Sequence, residues 1–253
     1  MGFVEFFLDA FMILTPPAPF VPQYIKMKRE GNPEGFSKLV SLIILTCNTL
    51  RLCFRMGKEF SNTLVIQSVI LIASQLFLLK ETVNLQRLTR KPAVIAAPEE
   101  YWITWERAKK DFWDWNNYRY YLQTYGLFTV TCVTITLLFK NVPGYVEFLG
   151  TVSLGIESML TVPQFLKNRR LRSTEGVSIW LIGCWFGGDA VKIVYFFVSS
   201  SPVQFILCGV FQLLVDAATF YQFFKYKNNG NSSAKDIEMD SHNTLVPPKI
   251  VIN

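Results

Sequence analysis

Ionisable side chains lie in the middle of long apolar segments of this chain. Glu157, Asp189 and Asp216 each lie well inside a hydrophobic run. A charge at membrane depth is costly, so such residues usually face the protein interior and serve the movement of protons, ions or polar groups. Lys192 follows Asp189 by three residues, which permits an ion pair on one helix face. An ion pair with a structural role explains Asp189 and Lys192 as well as a functional role does. Glu157 and Asp216 have no oppositely charged residue one helical turn away in the sequence, which favours a functional role for them.

The elements that carry these residues are long enough to cross a membrane. The chain has 253 residues, 51% of them hydrophobic, and a mean hydropathy of +0.27. A run of about 20 apolar residues crosses a bilayer core roughly 30 Å thick. We therefore predict an all-α membrane protein with seven transmembrane helices, at residues 3–24, 36–56, 62–84, 118–140, 145–166, 177–198 and 202–224.

Lysine and arginine are distributed unevenly between the loops. Most of the 25 follow the first, third, fifth and seventh spans. Because positive loops stay on the cytoplasmic side, we predict a luminal N-terminus and a cytosolic C-terminus. The net charge of +6 then reflects topology, and binding to nucleic acid is not expected.

The first span contains a cluster of helix breakers. Pro16, Pro17, Pro19 and Pro22 fall within seven positions. Proline removes a backbone donor, and carbonyls freed at membrane depth are tolerated only where they face protein or a wet cavity. We interpret the first span as a pliable helix that lines a path, with Pro163 as its counterpart in the fifth span. A static kink that shapes packing is the alternative.

One stretch of the sequence occurs twice. FVPQYIKMKREGNPEGFS at 20–37 matches TVPQFLKNRRLRSTEGVS at 161–178, with a constant offset of 141. Pro22 and Gln23 therefore correspond to Pro163 and Gln164, the four residues expected to act as hinges. Each copy holds three spans, so the fourth span must invert the chain between two parallel three-helix repeats in a 3+1+3 plan. The predicted domains are a first repeat at 1–88, a linker with an interfacial aromatic segment and inversion helix at 89–140, a second repeat at 141–226, and a disordered cytosolic tail at 227–253.

The two repeats differ in charge. The same offset places Asn48 and Arg51 opposite Asp189 and Lys192, and Glu157 falls opposite Thr15 or Pro16. Acidity is thus confined to the second repeat, which disfavours a symmetric sugar site. Protons, a cationic solute, or the ammonium groups of phosphatidylserine or phosphatidylethanolamine remain as candidate ligands. The residues expected on a central path are Asn48, Gln75, Glu157, Asp189, Lys192, Gln212 and Asp216.

Cations follow the second PQ motif directly. Juxtamembrane cations attract anionic headgroups, although topology signalling alone also explains them. The five cysteines form no CxxC pair and the chain has one histidine, so neither a disulfide framework nor a metal site is expected. No nucleophile or phosphate loop indicates an enzyme, and no cofactor is predicted. The cations that directly follow the second PQ motif are Lys167, Arg169, Arg170 and Arg172.

The paired VPQ motifs of a duplicated seven-span chain resemble the PQ-loop repeat family, relatives of the sugar-exporting SWEETs and of lysosomal amino-acid exporters. VPQFLKNRRLRSTEGVSI, GGDAVKIVYF and VQFILCGVFQLLVDAA are most similar to solute carrier family 66. That resemblance implies residence in the trans-Golgi network and endosomes, or lysosomes, and a scramblase-like role in phospholipid translocation that opposes flippases and affects endosome–Golgi trafficking. A proton-coupled exporter of a small cationic or zwitterionic solute and a non-transporting receptor or scaffold are the alternatives, and a homodimer stays open.

Overall fold

The computed structural model describes residues 3–31, 37–89, 112–172 and 179–243. Every regular element in these ranges is an α-helix, so the all-α prediction is confirmed for this part of the chain. Helices α1 to α9 are, in order, Phe3–Leu14, Phe20–Glu30, Lys38–Arg55, Asn62–Thr89, Tyr118–Phe139, Tyr145–Ser158, Val162–Leu171, Ile179–Val198 and Val203–Asn243.

Three of the described helices are long and apolar enough to cross a membrane. They are Asn62–Leu88 in α4, Tyr118–Phe139, which is α5, and Val203–Tyr226 in α9. Only 6% of the apolar window of α5 is buried, as expected for a helix whose surface faces lipid. These helices match the third, fourth and seventh predicted spans. The seven-span, 3+1+3 arrangement stays a prediction.

The first predicted span, 3–24, forms two helices. Helix α1 ends at Leu14 and α2 begins at Phe20, and turns connect them through three of the prolines. Weak helix-like bonds continue across the break, from Ala18 N–H to the Leu14 carbonyl at 3.2 Å and from Phe20 N–H to the Pro17 carbonyl at 3.1 Å. The proline cluster therefore divides the span instead of bending one helix.

The fifth predicted span, 145–166, is divided at a corresponding place. Helix α6 ends at Ser158 and α7 begins at Val162. Pro163 is the second residue of α7, and Pro22 is the third residue of α2. Because N–H groups of the first helical turn have no intrahelical acceptor, a proline there costs no hydrogen bond. Both prolines thus lie in the first turn of the helix that follows each break, and their role as hinges stays a prediction.

The chain divides into two compact units. The first unit comprises Met1–Leu160 and Lys192–Cys208, and the second comprises Thr161–Val191 and Gly209–Asn253. In the first unit, α3 packs against α4, α5 and α6, while α1 and α2 pack against α4. Helix α3 begins after Ser37, whose hydroxyl accepts a bond from Val40 N–H at 3.4 Å and so caps the helix.

Aromatic rings fill one core cluster of the first unit. The ring centroids of Phe54, Phe60 and Phe205 lie 5.1 to 6.1 Å apart, a distance at which aromatic pairs attract each other. Close packing of α3 on α6 depends on glycine, because a Cβ atom at Gly150 would lie 2.8 Å from the Phe54 ring. The Ser153 hydroxyl of α6 also donates to the Cys47 carbonyl of α3 at 2.8 Å.

A second cluster of the first unit includes part of the predicted interfacial segment. Trp113 and Tyr121 are buried with Leu45 of α3 and Leu79 of α4. The Trp113 indole donates to the Lys38 carbonyl at 2.8 Å. Trp115 is buried in the same cluster, so this aromatic segment is partly a packing element, whereas the tryptophans at 102 and 105 lie outside the described residues.

The second unit contains α7 and parts of α8 and α9. The Phe186 ring stacks on Phe220 at 6.1 Å, and the Gln222 amide donates to the Phe165 carbonyl at 3.2 Å. Helix α9 continues to Asn243, into the segment for which the sequence predicts a disordered tail. A helix extends from an existing helix without a new nucleus, which makes such a continuation inexpensive.

Candidate functional site

Three charged side chains from three helices meet in the first unit. Arg51 lies on α3, Glu157 in the last turn of α6, and Lys192 on α8. The Glu157 carboxylate pairs with the Arg51 guanidinium and accepts a bond from the Lys192 ammonium at 3.2 Å. The Arg51 side chain is 1% exposed, and those of Glu157 and Lys192 are 16% and 14% exposed. We call these three residues the ionic cluster.

One aromatic ring of the core lies near each of the two cations. The Arg51 guanidinium lies 5.8 Å from the centroid of the Phe205 ring, and the Lys192 ammonium lies 5.9 Å from that of Phe196. The negative face of an aromatic ring attracts a cation and offsets part of its lost hydration. The first unit thus places both cations next to aromatic rings that offset part of the cost of burying their charge.

Gln67 connects the ionic cluster to the break between α1 and α2. Its side-chain oxygen accepts a bond from Arg51 Nη1 at 3.3 Å, and its Nε2 donates to the Met12 carbonyl. In a regular helix, that carbonyl would accept the N–H of residue 16, which is a proline and has none. Gln67 therefore satisfies a carbonyl that Pro16 leaves free.

The cluster brings together positions that correspond in the sequence repeat. Arg51 and Lys192 are separated by the offset of 141, and so are Pro16 and Glu157. Two equivalent cations thus meet one carboxylate, and the residue equivalent to that carboxylate is the proline that frees the Met12 carbonyl. The repeat pairing places Arg51 opposite Lys192 and could have identified it, but Arg51 was not predicted as a site residue. Gln67 was not predicted as a site residue either.

Other predicted path residues lie buried in the first unit. Asn48 donates to the Ile44 carbonyl at 2.8 Å and leaves its Oδ1 without a hydrogen-bond partner. Gln75 is fully buried, and neither its amide nitrogen nor its oxygen has a hydrogen-bond partner. Buried polar atoms without partners are uncommon in proteins. Asn48 on α3 and Gln75 on α4 thus add buried hydrogen-bonding groups to two helices that pack together.

The remaining predicted residues belong to the second unit. Asp216 is buried, while Asp189 and Gln212 are partly buried. Lys192 forms an ion pair with Glu157 of another helix, and among the described residues no ion pair joins it to the local candidate Asp189. Arg169, Arg170 and Arg172 are exposed at the end of α7. Gln164 and Lys167 belong to α7, and their side chains lie outside the described part of the structure.

Both halves of the broken first span are anchored within the first unit. Asp9 of α1 accepts bonds from Thr63 at 2.7 Å and from the Tyr195 hydroxyl at 3.1 Å. Lys28 of α2 forms an ion pair with Glu81 at 2.8 Å, and this partner raises the pKa of Lys28. The two helices are therefore held by separate contacts on either side of the break. Gln23, also in α2, is partly buried.

Comparison with known proteins places the chain in a class. Residues 145–205 match the model of the PQ loop repeat, a segment that contains Pro163 and Gln164. The chain carries a PQ-loop repeat, and the resemblance to that family is confirmed. The particular similarity to solute carrier family 66 stays a prediction.

Two yeast proteins are similar to this chain. It is 20% identical to Scramblase ANY1 of Saccharomyces cerevisiae, over 88% of this chain and 71% of that protein. It is 25% identical to Vacuolar histidine transporter YPQ3 of the same organism, over 48% of this chain and 40% of that protein. One relative is thus named a scramblase and the other a histidine transporter.

Proposed function

We propose that this multi-pass membrane protein moves phospholipids between the leaflets of a bilayer, as a scramblase or a scramblase-like regulator. The observation that carries the proposal is the similarity to Scramblase ANY1, which extends over 88% of the chain. The chain covers less than half of the named histidine transporter, so the alignment favours lipid over solute.

Polar side chains buried among apolar helices support this activity. A lipid headgroup that enters the hydrocarbon region loses its hydration, which is the main barrier to spontaneous flip. The ionic cluster together with Asn48 and Gln75 offers charged and hydrogen-bonding groups that are buried among these helices. The breaks after α1 and α6 supply points at which a helix can move without disrupting a regular hydrogen-bond ladder.

The proposal includes a location and an orientation. We place the protein in the trans-Golgi network and endosomes, with a luminal N-terminus and a cytosolic C-terminus, where it opposes flippase-built asymmetry and affects trafficking between the two. Phosphatidylserine and phosphatidylethanolamine are the proposed lipids. The loop charges of the sequence support the orientation, and the resemblance to solute carrier family 66 supports the location.

A second candidate is a proton-coupled exporter of a cationic or zwitterionic solute. The similarity to Vacuolar histidine transporter YPQ3 favours it, and so does Asp216, a carboxylate buried on an apolar helix. In this alternative, Asp216 takes up and releases the coupled proton, and Asp216→Asn abolishes proton-coupled uptake.

Purified protein in liposomes tests both candidates. The first assay follows a fluorescent phosphatidylethanolamine, with its label on an acyl chain, as a membrane-impermeant reductant bleaches the outer leaflet. The second assay follows uptake of labelled histidine across a pH gradient. Bleaching of the whole lipid pool without histidine uptake supports the scramblase. Histidine uptake that Asp216→Asn abolishes, without lipid flip, would replace it with the exporter.

A further inference from the structure

A cavity of the first unit lies beside the start of α3. Helix α3 begins at Lys38, and the membrane-length helix α5 begins at Tyr118, shortly after the other wall of the cavity. A span that begins here puts the cavity at the membrane surface, the level of lipid headgroups. The cavity has a volume of about 260 Å³ and is lined by Lys38, Leu39, Leu42, Phe112, Trp113 and Asp114.

The two charged residues of this lining have opposite signs. The Lys38 ammonium pairs with Asp114 Oδ1 at 2.6 Å. The Lys38 side chain is 10% exposed, whereas that of Asp114 is 70% exposed. The lysine therefore holds one side of the carboxylate from within the protein, and the rest of the carboxylate faces outward. Such a pair complements a ligand that itself carries separated positive and negative charges.

Two aromatic residues form the apolar part of the wall. The ring centroids of Phe112 and Trp113 lie 6.3 Å apart, with 43° between the ring planes. Aromatic rings bind a quaternary ammonium through their negative faces, without any hydrogen bond. A primary ammonium instead needs an acceptor for each of its three N–H groups, and of the six lining side chains only that of Asp114 contains an acceptor. The lining therefore favours a quaternary ammonium.

Trp113 is fixed in an unusual backbone conformation. Its φ of 61° lies in the left-handed region, which bulky residues rarely adopt. The indole donates to the Lys38 carbonyl at 2.8 Å, and the ring packs edge-on against Tyr121 with centroids 5.1 Å apart. Strained backbone persists where surrounding contacts fix it, and it concentrates at ligand sites. These contacts give the cavity a wall that is formed before any ligand binds.

We propose that this cavity binds the phosphocholine headgroup of a phospholipid in the adjacent leaflet. The trimethylammonium group lies against Phe112 and Trp113 and beside the Asp114 carboxylate, while the phosphate is directed towards the Lys38 ammonium. Leu39, which is 63% exposed, contacts the glycerol end of the acyl chains. The lipid does not have to cross the bilayer for this site to be filled, so the inference goes beyond the proposed function.

Stabilisation by added lipid provides the first test. Thermal unfolding of the full chain in detergent is followed as phosphatidylcholine, phosphatidylethanolamine or phosphatidylglycerol is added, all with the same acyl chains. We expect phosphatidylcholine to reach half of its effect on the unfolding midpoint at about a fivefold lower concentration than either other lipid, because rings and carboxylate together favour a quaternary ammonium by about that factor.

Variants of the lining locate this preference. Phe112→Leu and Asp114→Asn should each abolish the preference for phosphatidylcholine, since one removes a ring and the other a charge. Two surface residues of α6 provide matched controls. Phe148→Leu replaces a ring that is 66% exposed, and Glu147→Gln replaces a carboxylate that pairs with Lys58 at 3.4 Å. Both controls should keep the preference of the unmodified protein.

Photocrosslinking of the unmodified full chain in liposomes provides a second test that needs no variant. A phosphatidylcholine with a diazirine on the first carbons of an acyl chain should label peptides that contain Leu39, Leu42 or Phe112. Unlabelled phosphatidylcholine should compete for this labelling more strongly than phosphatidylglycerol does. Mass spectrometry of the digested protein locates the label.

The outcomes separate this inference from the proposed function. Equal effects of the three lipids, or a preference that Phe112→Leu and Asp114→Asn both keep, would overturn the choline site. A preference for phosphatidylglycerol would overturn it as well and assign the cavity to anionic lipids. If a variant does not fold, the crosslinking decides alone, and label confined to other peptides contradicts the proposal. Failure of lipid flip in liposomes would remove the scramblase and leave this site intact.

Discussion

A single proline changes the hydrogen bonding of a residue four positions before it. Pro16 offers no N–H to the Met12 carbonyl, and the Gln67 amide donates to that carbonyl instead. The same glutamine accepts a bond from Arg51. One side chain therefore joins a backbone defect to the ionic cluster, and substitutions at Pro16 and Gln67 should not be energetically independent.

Gln67→Leu is expected to destabilise the protein by about 1–3 kcal/mol, because it leaves a buried carbonyl and a guanidinium N–H without partners. In the Pro16→Ala background, the restored N–H of residue 16 can serve the Met12 carbonyl, so the same change should cost less. Thermal unfolding of the two single variants and the double variant measures this coupling. Strictly additive effects would show that Gln67 does not replace the bond that Pro16 removes.

Residue types revealed only part of the candidate site. Asn48, Gln75, Glu157 and Lys192 were predicted as interior residues, because polar groups within apolar runs avoid lipid. The partner of Lys192 was not predictable. Spacing along a helix shows which local pair is possible, but the structure pairs Lys192 with a carboxylate of another helix. Whether an ion pair forms within one helix or between two helices depends on packing, which a single sequence does not show.

At the scale of elements, apolar run length predicted spans but not their internal breaks. The segments 3–24 and 145–166 each have the length and apolar content of one span, yet each forms two helices. In the first, prolines within the turn explain the break. In the second, the break at 159–161 directly precedes Pro163, whose ring would clash with the carbonyl of residue 159 in a continuous helix. The break therefore leaves Pro163 in the first turn of α7, where a proline is tolerated.

Pro22→Ala and Pro163→Ala are therefore expected to change stability by less than about 1 kcal/mol each, because both positions belong to a first helical turn. An interior proline would instead cost about 3 kcal/mol relative to alanine. Lipid flux should also remain close to that of the unmodified protein. Thermal unfolding and the liposome assay check both expectations, and a gain of several kcal/mol with slower flux would instead support the hinge interpretation for these two prolines.

Packing of α3 against α6 provides a second test at this scale. Gly150→Ala should destabilise the protein by about 1–3 kcal/mol, since its Cβ would lie 2.8 Å from the Phe54 ring and force the two helices apart. Gly155→Ala, on the same helix, is the matched control, because its Cβ meets nothing within 4 Å. Thermal unfolding in one detergent compares them. Equal midpoints for the two variants would mean that α6 has room to shift.

For the whole molecule, the sequence predicted the helical class, the membrane setting and the PQ-loop repeat, and all three are confirmed. The compact units do not follow the predicted repeat boundary, because Lys192–Cys208 joins the first unit. The reason is visible in the aromatic core, where Phe196 and Phe205 pack with Phe54. The internal sequence repeat and the compact units therefore divide the chain differently, because burial of large apolar rings decides which segments fold together.

The orientation of the chain is the property of the whole molecule that its loop charges predict most directly. With most lysines and arginines on one side, the N-terminus should be luminal and the C-terminus cytosolic. A glycosylation acceptor tag added to the N-terminus should gain a glycan, while the same tag at the C-terminus and the native Asn231-Ser232-Ser233 site should not. Because α9 continues past this native site and helical structure alone can block a glycan at Asn231, the tag is the stricter probe. An endoglycosidase-sensitive mass shift of the C-terminally tagged protein would reverse the orientation and place Arg169, Arg170 and Arg172 on the luminal face, where the leaflet charge that attracts basic residues is absent.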